Sequence, residues 1–407
     1  MILKLNSKFI FLYAFALFII AAVYGFLIRW NFTFPVGSFP YKNILQSHSH
    51  VAFLGWGYLA VIGVILKLFT SVKLQKHQLY KICFLIIFTT ATGMLISFPI
   101  GGYKVFSIVL LSVFGIATYV VSFKILKDIK EQSVATKLVK FGIYYYLLSS
   151  LATWFIAVVM VTQGKTDLYY NTIYFYLHFL YNGFFVFALF GILFKLIENE
   201  GIQISKKTQN AFFVYLNSAC IPAYALSILW SDVHVIFYVI GFAASILQLI
   251  SLLYLLNILK LIFKNNRWNF ILRILLKFSV IAYALKIIIQ VFSSFPYFVE
   301  KSLALKPYFI IGYLHLFTLA FMSALLFFIL NQLKIFNFYK FSKVGIYVFL
   351  CTVFCTELLF FIQGFLLLLK LNPLPHYNLW VLFFSGLLVM SLVVIFIQQF
   401  KRSKLEN

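Results

Sequence analysis

Two histidines two positions apart, His48 and His50, open an apolar stretch of membrane length, residues 46–69, reading QSHSHVAFLGWGYLAVIGVILKLF. Each helical residue turns by about 100°, so these imidazoles point to opposite sides of their helix and cannot easily grip one ion together. A helix between two cofactors can still offer one ligand to each, and Gly55 and Gly57 would let a flat macrocycle approach the backbone. Interfacial histidines bonded to loops or lipid headgroups are the structural alternative. Lys286 and Glu357 fall deep inside other apolar runs. Intramembrane charges are expensive and are functional candidates by default, here as a proton relay or as an anchor for a propionate or substrate; a buried pair or a snorkelling Lys is the structural alternative. Cys351 and Cys355, at i, i+4, could present two thiolates to soft copper, although such pairs are more often small packing groups.

The elements that must position these groups follow from composition. Of 407 residues, 64% are hydrophobic, 21% aromatic and 10% charged, more apolar surface than a soluble core can hold. The apolar runs are continuous and about twenty residues long, which excludes the short alternating strands of an outer-membrane barrel. The chain reads as an all-α polytopic membrane protein. Its spans fall near 9–28, 46–69, 80–99, 105–123, 141–161, 172–194, 211–230 (interrupted by Pro222), 233 to just before 260, 272–292, 308–330, 344–369 and 377–400. The first is too long for a signal peptide and lacks a convincing small-residue cleavage site, so it counts as a span. No phosphate-binding loop, nucleophile elbow or HExxH motif is present.

A net charge of +24 would suggest nucleic acid in a soluble chain, but the basic residues belong to the loops. With the N-terminus in the cytoplasm, about 25 of the Lys and Arg fall on the cytoplasmic side and about seven outside. That asymmetry sets the expectation of twelve spans with both termini cytoplasmic, in a multi-pass protein of the bacterial inner membrane. Placed on this map, His48 and His50, His178, His234, His315 and His376 all lie towards the outer surface, and His77 alone is cytoplasmic. His48, His178 and His315 are spaced by about 130 and 137 residues, on spans two, six and ten. The spacing predicts three quasi-repeated four-helix units, roughly 1–125, 141–260 and 272–400, within a single transmembrane domain of residues 1–407. No strong residue-by-residue repeat accompanies it.

Twelve spans, three four-helix units and histidines in helices two, six and ten resemble the catalytic subunit of the haem-copper oxidase and nitric oxide reductase superfamily. SHSHVAFLGWGY resembles that family's His-x-His haem helix, and YLHFLYNGFF resembles the nitric oxide reductase helix that supplies a non-haem metal ligand and, four residues on, a Glu. The same features resemble the NnrS-type haem and copper membrane proteins, whose later Leu-His-x-x-Thr helix is matched by Leu314, His315 and Thr318. There are departures. The oxidases carry His-x-His on helix ten and a single His on helix two, the reverse of this chain; Asn182 stands where the reductase motif has Glu; and no adjacent His pair exists.

The resemblance implies haem, of b type, with copper as a second cofactor. His50 and His315 could supply the two axial ligands of a low-spin iron, and His48 could join His178 and His234 at a second haem or a metal ion. The implied activity is an oxidoreductase with a degenerate active site that binds or reduces a small gas such as nitric oxide, or relays electrons to a redox partner. A function of another class stays open: a secondary transporter with a mid-membrane site around Lys286 and Glu357, near the Pro222 break. If Glu357 relays protons, Glu357→Gln is expected to slow proton uptake into vesicles; unchanged uptake removes the relay.

Overall fold

Hydrocarbon offers the backbone no water to bond, so apolar runs of this length satisfy their N–H and C=O groups internally. The computed structural model describes residues 7–265 and 268–400, and every regular element among them is helical. Eleven of these helices are long and apolar enough to cross a membrane, or twelve with one bent pair counted as a single span. In chain order they are α1 Lys8–Thr33, α2 Tyr41–Phe69, α3 Gln78–Gly101, α4 Val105–Asp128, α5 Val134–Thr162, α6 Asp167–Asn199, α7 (the bent pair Lys206–Cys220 and Pro222–Ile228), α8 Ile236–Lys264, α9 Phe270–Phe292, α10 Lys306–Gln332, α11 Lys340–Leu368 and α12 Tyr377–Gln398. The chain is therefore a multi-pass membrane protein by the length and apolarity of its helices. Lys4, Arg267, Lys401, Arg402 and Lys404, which enter the charge argument, lie outside the described residues.

Several helices run beyond the apolar stretch that announces them. α2 begins at Tyr41, α5 at Val134 and α6 at Asp167, each about a turn or more before the hydrophobic run. Polar residues at an interface continue a helix until a cap stops it. Ser133 is such a cap for α5, its Oγ accepting from the Thr136 N–H at 3.2 Å. α7 breaks where Pro222 removes an N–H, and its two pieces meet at a 45° bend. The Tyr224 N–H turns to the Ile221 carbonyl at 3.1 Å instead of continuing the α-helical ladder to Cys220.

Three helices are interrupted in another way. α2, α6 and α10 each contain a stretch of π-helix, Val51–Tyr58, Phe179–Phe185 and Leu316–Ser323, and each begins at the residue after a histidine: His50, His178 and His315. Five positions beyond each histidine stands a small residue, Gly55, Gly183 or Ala320, and six beyond an aromatic one, Trp56, Phe184 or Phe321. These three helices are also the most enclosed: 78%, 89% and 78% of their most apolar windows is buried, against 50% or less in the other eight unbroken spans.

The helices group into two compact units. One holds the described residues through Asp128 together with those from Leu326 onward; the other is Ile129–Leu325. The division falls inside α10, so α9 and most of α10 group with the second unit, and α11 and α12 with the first. In the first unit α1 lies on the π stretch of α2. Phe18 stacks on Trp56 with centroids 5.0 Å apart, and a Cβ on Gly55 would come within 2.8 Å of Leu17. In the second, α5 lies on the π stretch of α6, where a Cβ on Gly183 would sit 2.5 Å from the Cβ of Tyr145. There too α9 packs on α10, the Ser279 hydroxyl donating to the Phe321 carbonyl at 2.9 Å.

The Gly183 contact is too close for any side chain. Gly183→Ala is expected to lower stability by about 1–3 kcal/mol through overpacking, whereas Gly115→Ala on α4, with open space around it, should be neutral or slightly stabilising. Thermal unfolding of the two variants in detergent distinguishes them.

Candidate functional site

The first unit holds His48 and His50, and the opposite-face expectation is met: they have different neighbours. The His48 ring lies against the bare backbone of α1 at Gly25, where a Cβ would come within 3.1 Å of the imidazole. Its Nδ1 is 2.7 Å from the Ala21 carbonyl, which can only accept, so Nδ1 carries the proton. In the neutral ring the lone pair then belongs to Nε2, the arrangement second-shell carbonyls impose on metal-ligating histidines. His50 instead meets the turn after α3. Gly102 adopts φ +60, and its missing side chain makes room for Asn43 Oδ1 of α2, 2.6 Å from where a Cβ would be. The next residue, Tyr103, reaches His50 with its hydroxyl 2.6 Å from Nε2, and the Phe98 ring lies 4.7 Å from the imidazole.

Gly55, expected to admit a macrocycle, is used instead for the close approach of Leu17. The Ala21 carbonyl sets in His48 the tautomer that a haem ligand through Nε2 needs, and in His50 Nε2 lies against the Tyr103 hydroxyl. Glu357, on α11 in the same unit, is buried, and neither of its carboxyl oxygens has a hydrogen-bond partner among the described residues. One turn along, the Arg29 guanidinium lies over the Phe360 ring at 4.9 Å.

A connected polar chain occupies the second unit. Lys286 of α9, 2% exposed, donates from Nζ to Asn182 Oδ1 and faces the Tyr283 ring at 5.5 Å. The other end of the same amide, Nδ2, donates to His178 Nδ1 at 3.1 Å. Nε2 of His178 then donates to the Cys220 carbonyl at 2.8 Å, the group that the break in α7 leaves without its α-helical donor. Each link fixes the next. A lysine ammonium only donates, so it takes the amide oxygen; the amide nitrogen must then face His178; and His178 must accept at Nδ1 and carry its proton on Nε2.

The sequence offers His178 and His234 as metal ligands, and the structure gives each of them other partners. Both ring nitrogens of His178 lie within hydrogen-bond distance of protein groups. His234 is exposed just before α8, its Nδ1 accepting from the Ile236 N–H at 3.3 Å as a helix cap. Among the described residues no group of three or more His, Cys, Asp or Glu is placed to hold a metal. His315 stands at the head of the π stretch of α10, and the hydroxyls of Thr318 and Ser323 bond the Leu314 and Thr318 carbonyls at 2.8 and 2.7 Å. Of Cys351 and Cys355, the first is exposed and the second half-buried.

Asn182, which the sequence presents as a missing carboxylate, proves to be the hub of the second cluster. Its i, i+4 spacing from His178 is the signal that could have marked it. Ser279, Tyr283 and Gln290 carry no such signal, yet with Lys286 they form one buried stripe along α9. No protein-family profile matches the chain, and no curated protein matches it.

Asn182→Leu would leave the Lys286 ammonium without its acceptor and His178 without its donor. A loss of roughly 2–3 kcal/mol is expected from a buried hydrogen bond to a charged group, with Asn182→Asp closer to wild type because a carboxylate can accept from Lys286. Unfolding midpoints of the two variants provide the check.

Proposed function

We propose that the chain is an integral membrane haem protein of twelve helices, built from three quasi-repeated four-helix units with both termini cytoplasmic, in the bacterial inner membrane. The observation that carries this reading is the recurrence in α2, α6 and α10 of a histidine directly before a π-helical stretch, with a small residue five positions on. π-Helical insertions occur frequently at functional sites, and a threefold recurrence is what repeated units would leave behind.

His48 is the best-prepared ligand, since the Ala21 carbonyl keeps the lone pair on Nε2. His50 is a second candidate ligand in the same unit, its engagement requiring Tyr103 to yield its place or to act as an outer partner, and His315 is a candidate in the other unit. A b-type haem held there would supply one-electron chemistry and a binding position for a small gas such as nitric oxide. Copper remains a second cofactor of this reading, although His178 is better accounted for by its hydrogen bonds. The chain's own residues would orient the imidazoles and keep water from them.

The alternative, a secondary transporter, is favoured by a separate observation. A broken helix whose carbonyl is bonded by an intramembrane histidine, itself linked to a buried lysine, is the kind of element on which transporters build their mid-membrane sites. Protein purified from haem-replete cells is expected to give a pyridine haemochrome band, with His48→Ala and His315→Ala losing the parent absorption spectrum and His234→Ala keeping it. A colourless, metal-free preparation would overturn the haem reading and shift the weight to transport.

A further inference from the structure

The cluster of Lys286, Asn182, His178 and the Cys220 carbonyl connects an intramembrane ammonium to a helix break through groups that each have two discrete arrangements. Lys286 takes part in no ion pair among the described residues. The titratable groups around it are Cys220 of α7, His178 of α6 and Tyr283 of its own helix, with Tyr313 of α10 beyond Tyr283 and Tyr145 of α5 beyond Cys220. None is a carboxylate. The ammonium therefore rests on one amide oxygen and one aromatic face. Buried polar atoms of the same helix without hydrogen-bond partners among the described residues include the Tyr283 hydroxyl and Gln290 Oε1.

We propose that Lys286 is a proton-binding site whose state is transmitted through Asn182 to His178, and from there to the break in α7. With Lys286 charged, the chain of donors runs from Nζ to the Cys220 carbonyl, as the structure shows. When Lys286 gives its proton to water, Nζ gains a lone pair while keeping two N–H donors, so the charge no longer locks the Asn182 amide and either end of it can face Nζ. In the turned-over arrangement Nδ2 donates to Nζ and Oδ1 faces His178. To satisfy that oxygen His178 must place its proton on Nδ1. Its Nε2 now bears a lone pair opposite the Cys220 carbonyl, so that bond is lost and the break in α7 is released to take another donor. One proton leaves, from Lys286; His178 keeps one proton and moves it between nitrogens; no electrons are exchanged. The site thus couples proton release to the shape of a discontinuous helix, and it does so whether or not haem is bound.

The test is the tautomer of His178, read by ¹⁵N solid-state NMR of ring-labelled histidine in lipid vesicles, with His178→Gln identifying its signals by subtraction. From about pH 5 to about pH 11, a range that includes the ordinary lysine value, wild-type protein is expected to pass from the Nε2–H form alone to a state in which the Nδ1–H form is also populated. Lys286→Arg, which keeps a permanent cation, is expected to hold Nε2–H throughout. Lys286→Met should show no pH-driven exchange of tautomers. Hydrogen exchange at residues 221–228 of wild-type protein should rise with the same midpoint, a measurement that needs no variant to fold. A single tautomer across the whole range in wild type, or an exchange that persists in Lys286→Met, would overturn the proposal.

Discussion

A backbone carbonyl inside a membrane must find a donor within the protein, because the surrounding hydrocarbon offers none. Departures from the regular α-helix in this chain meet that demand in visible ways. Where π-helical turns loosen the ladder of α10, hydroxyls of Thr318 and Ser323 bond carbonyls of their own helix, and Ser279 reaches across from α9 to Phe321. Where Pro222 breaks α7, His178 supplies the donor that Cys220 has lost. These polar residues of the interior are therefore first of all partners for irregular backbone, and any chemistry they perform is built on that role.

The same demand explains why the two imidazoles of the His-x-His segment differ. His48 is spoken for on one nitrogen by a carbonyl of α1 and so has a defined tautomer. His50 meets a tyrosine hydroxyl that can donate or accept, and its tautomer is not imposed by its partner. A carbonyl fixes proton position and a hydroxyl does not, which is why two residues so close in sequence are not equivalent as ligands. The Cys220 carbonyl acts on His178 as the Ala21 carbonyl acts on His48, while Lys286 reaches the other nitrogen of that ring at one remove, through an amide that can turn over.

Much of the architecture was legible because length and apolarity alone decide what can cross a bilayer. The spans, the break at Pro222 and the divergence of His48 from His50 all follow from spacing and from the geometry of a helix. The π stretches were not legible, since a wide turn leaves no hydropathy signal; only the small residue five places after each histidine hints at it, and glycine is common in such helices for other reasons. Asn182 looks like a lost carboxylate as long as its position in a motif is considered without its neighbours. Lys286 lies 104 residues further on, and nothing in periodicity brings the two together. The roles of His178 and His234 are likewise set by tertiary surroundings, one enclosed by α7 and the other capping α8.

A π-helical insertion also alters the phase of the helix that contains it. Each added residue advances the following side chains by about 100° around the axis. The two halves of each of α2, α6 and α10 thus obey separate angular registers, joined at the histidine. One rod can aim its imidazole toward one neighbour while setting its small residue and aromatic ring against another, and either half can drift in sequence without turning the other out of place.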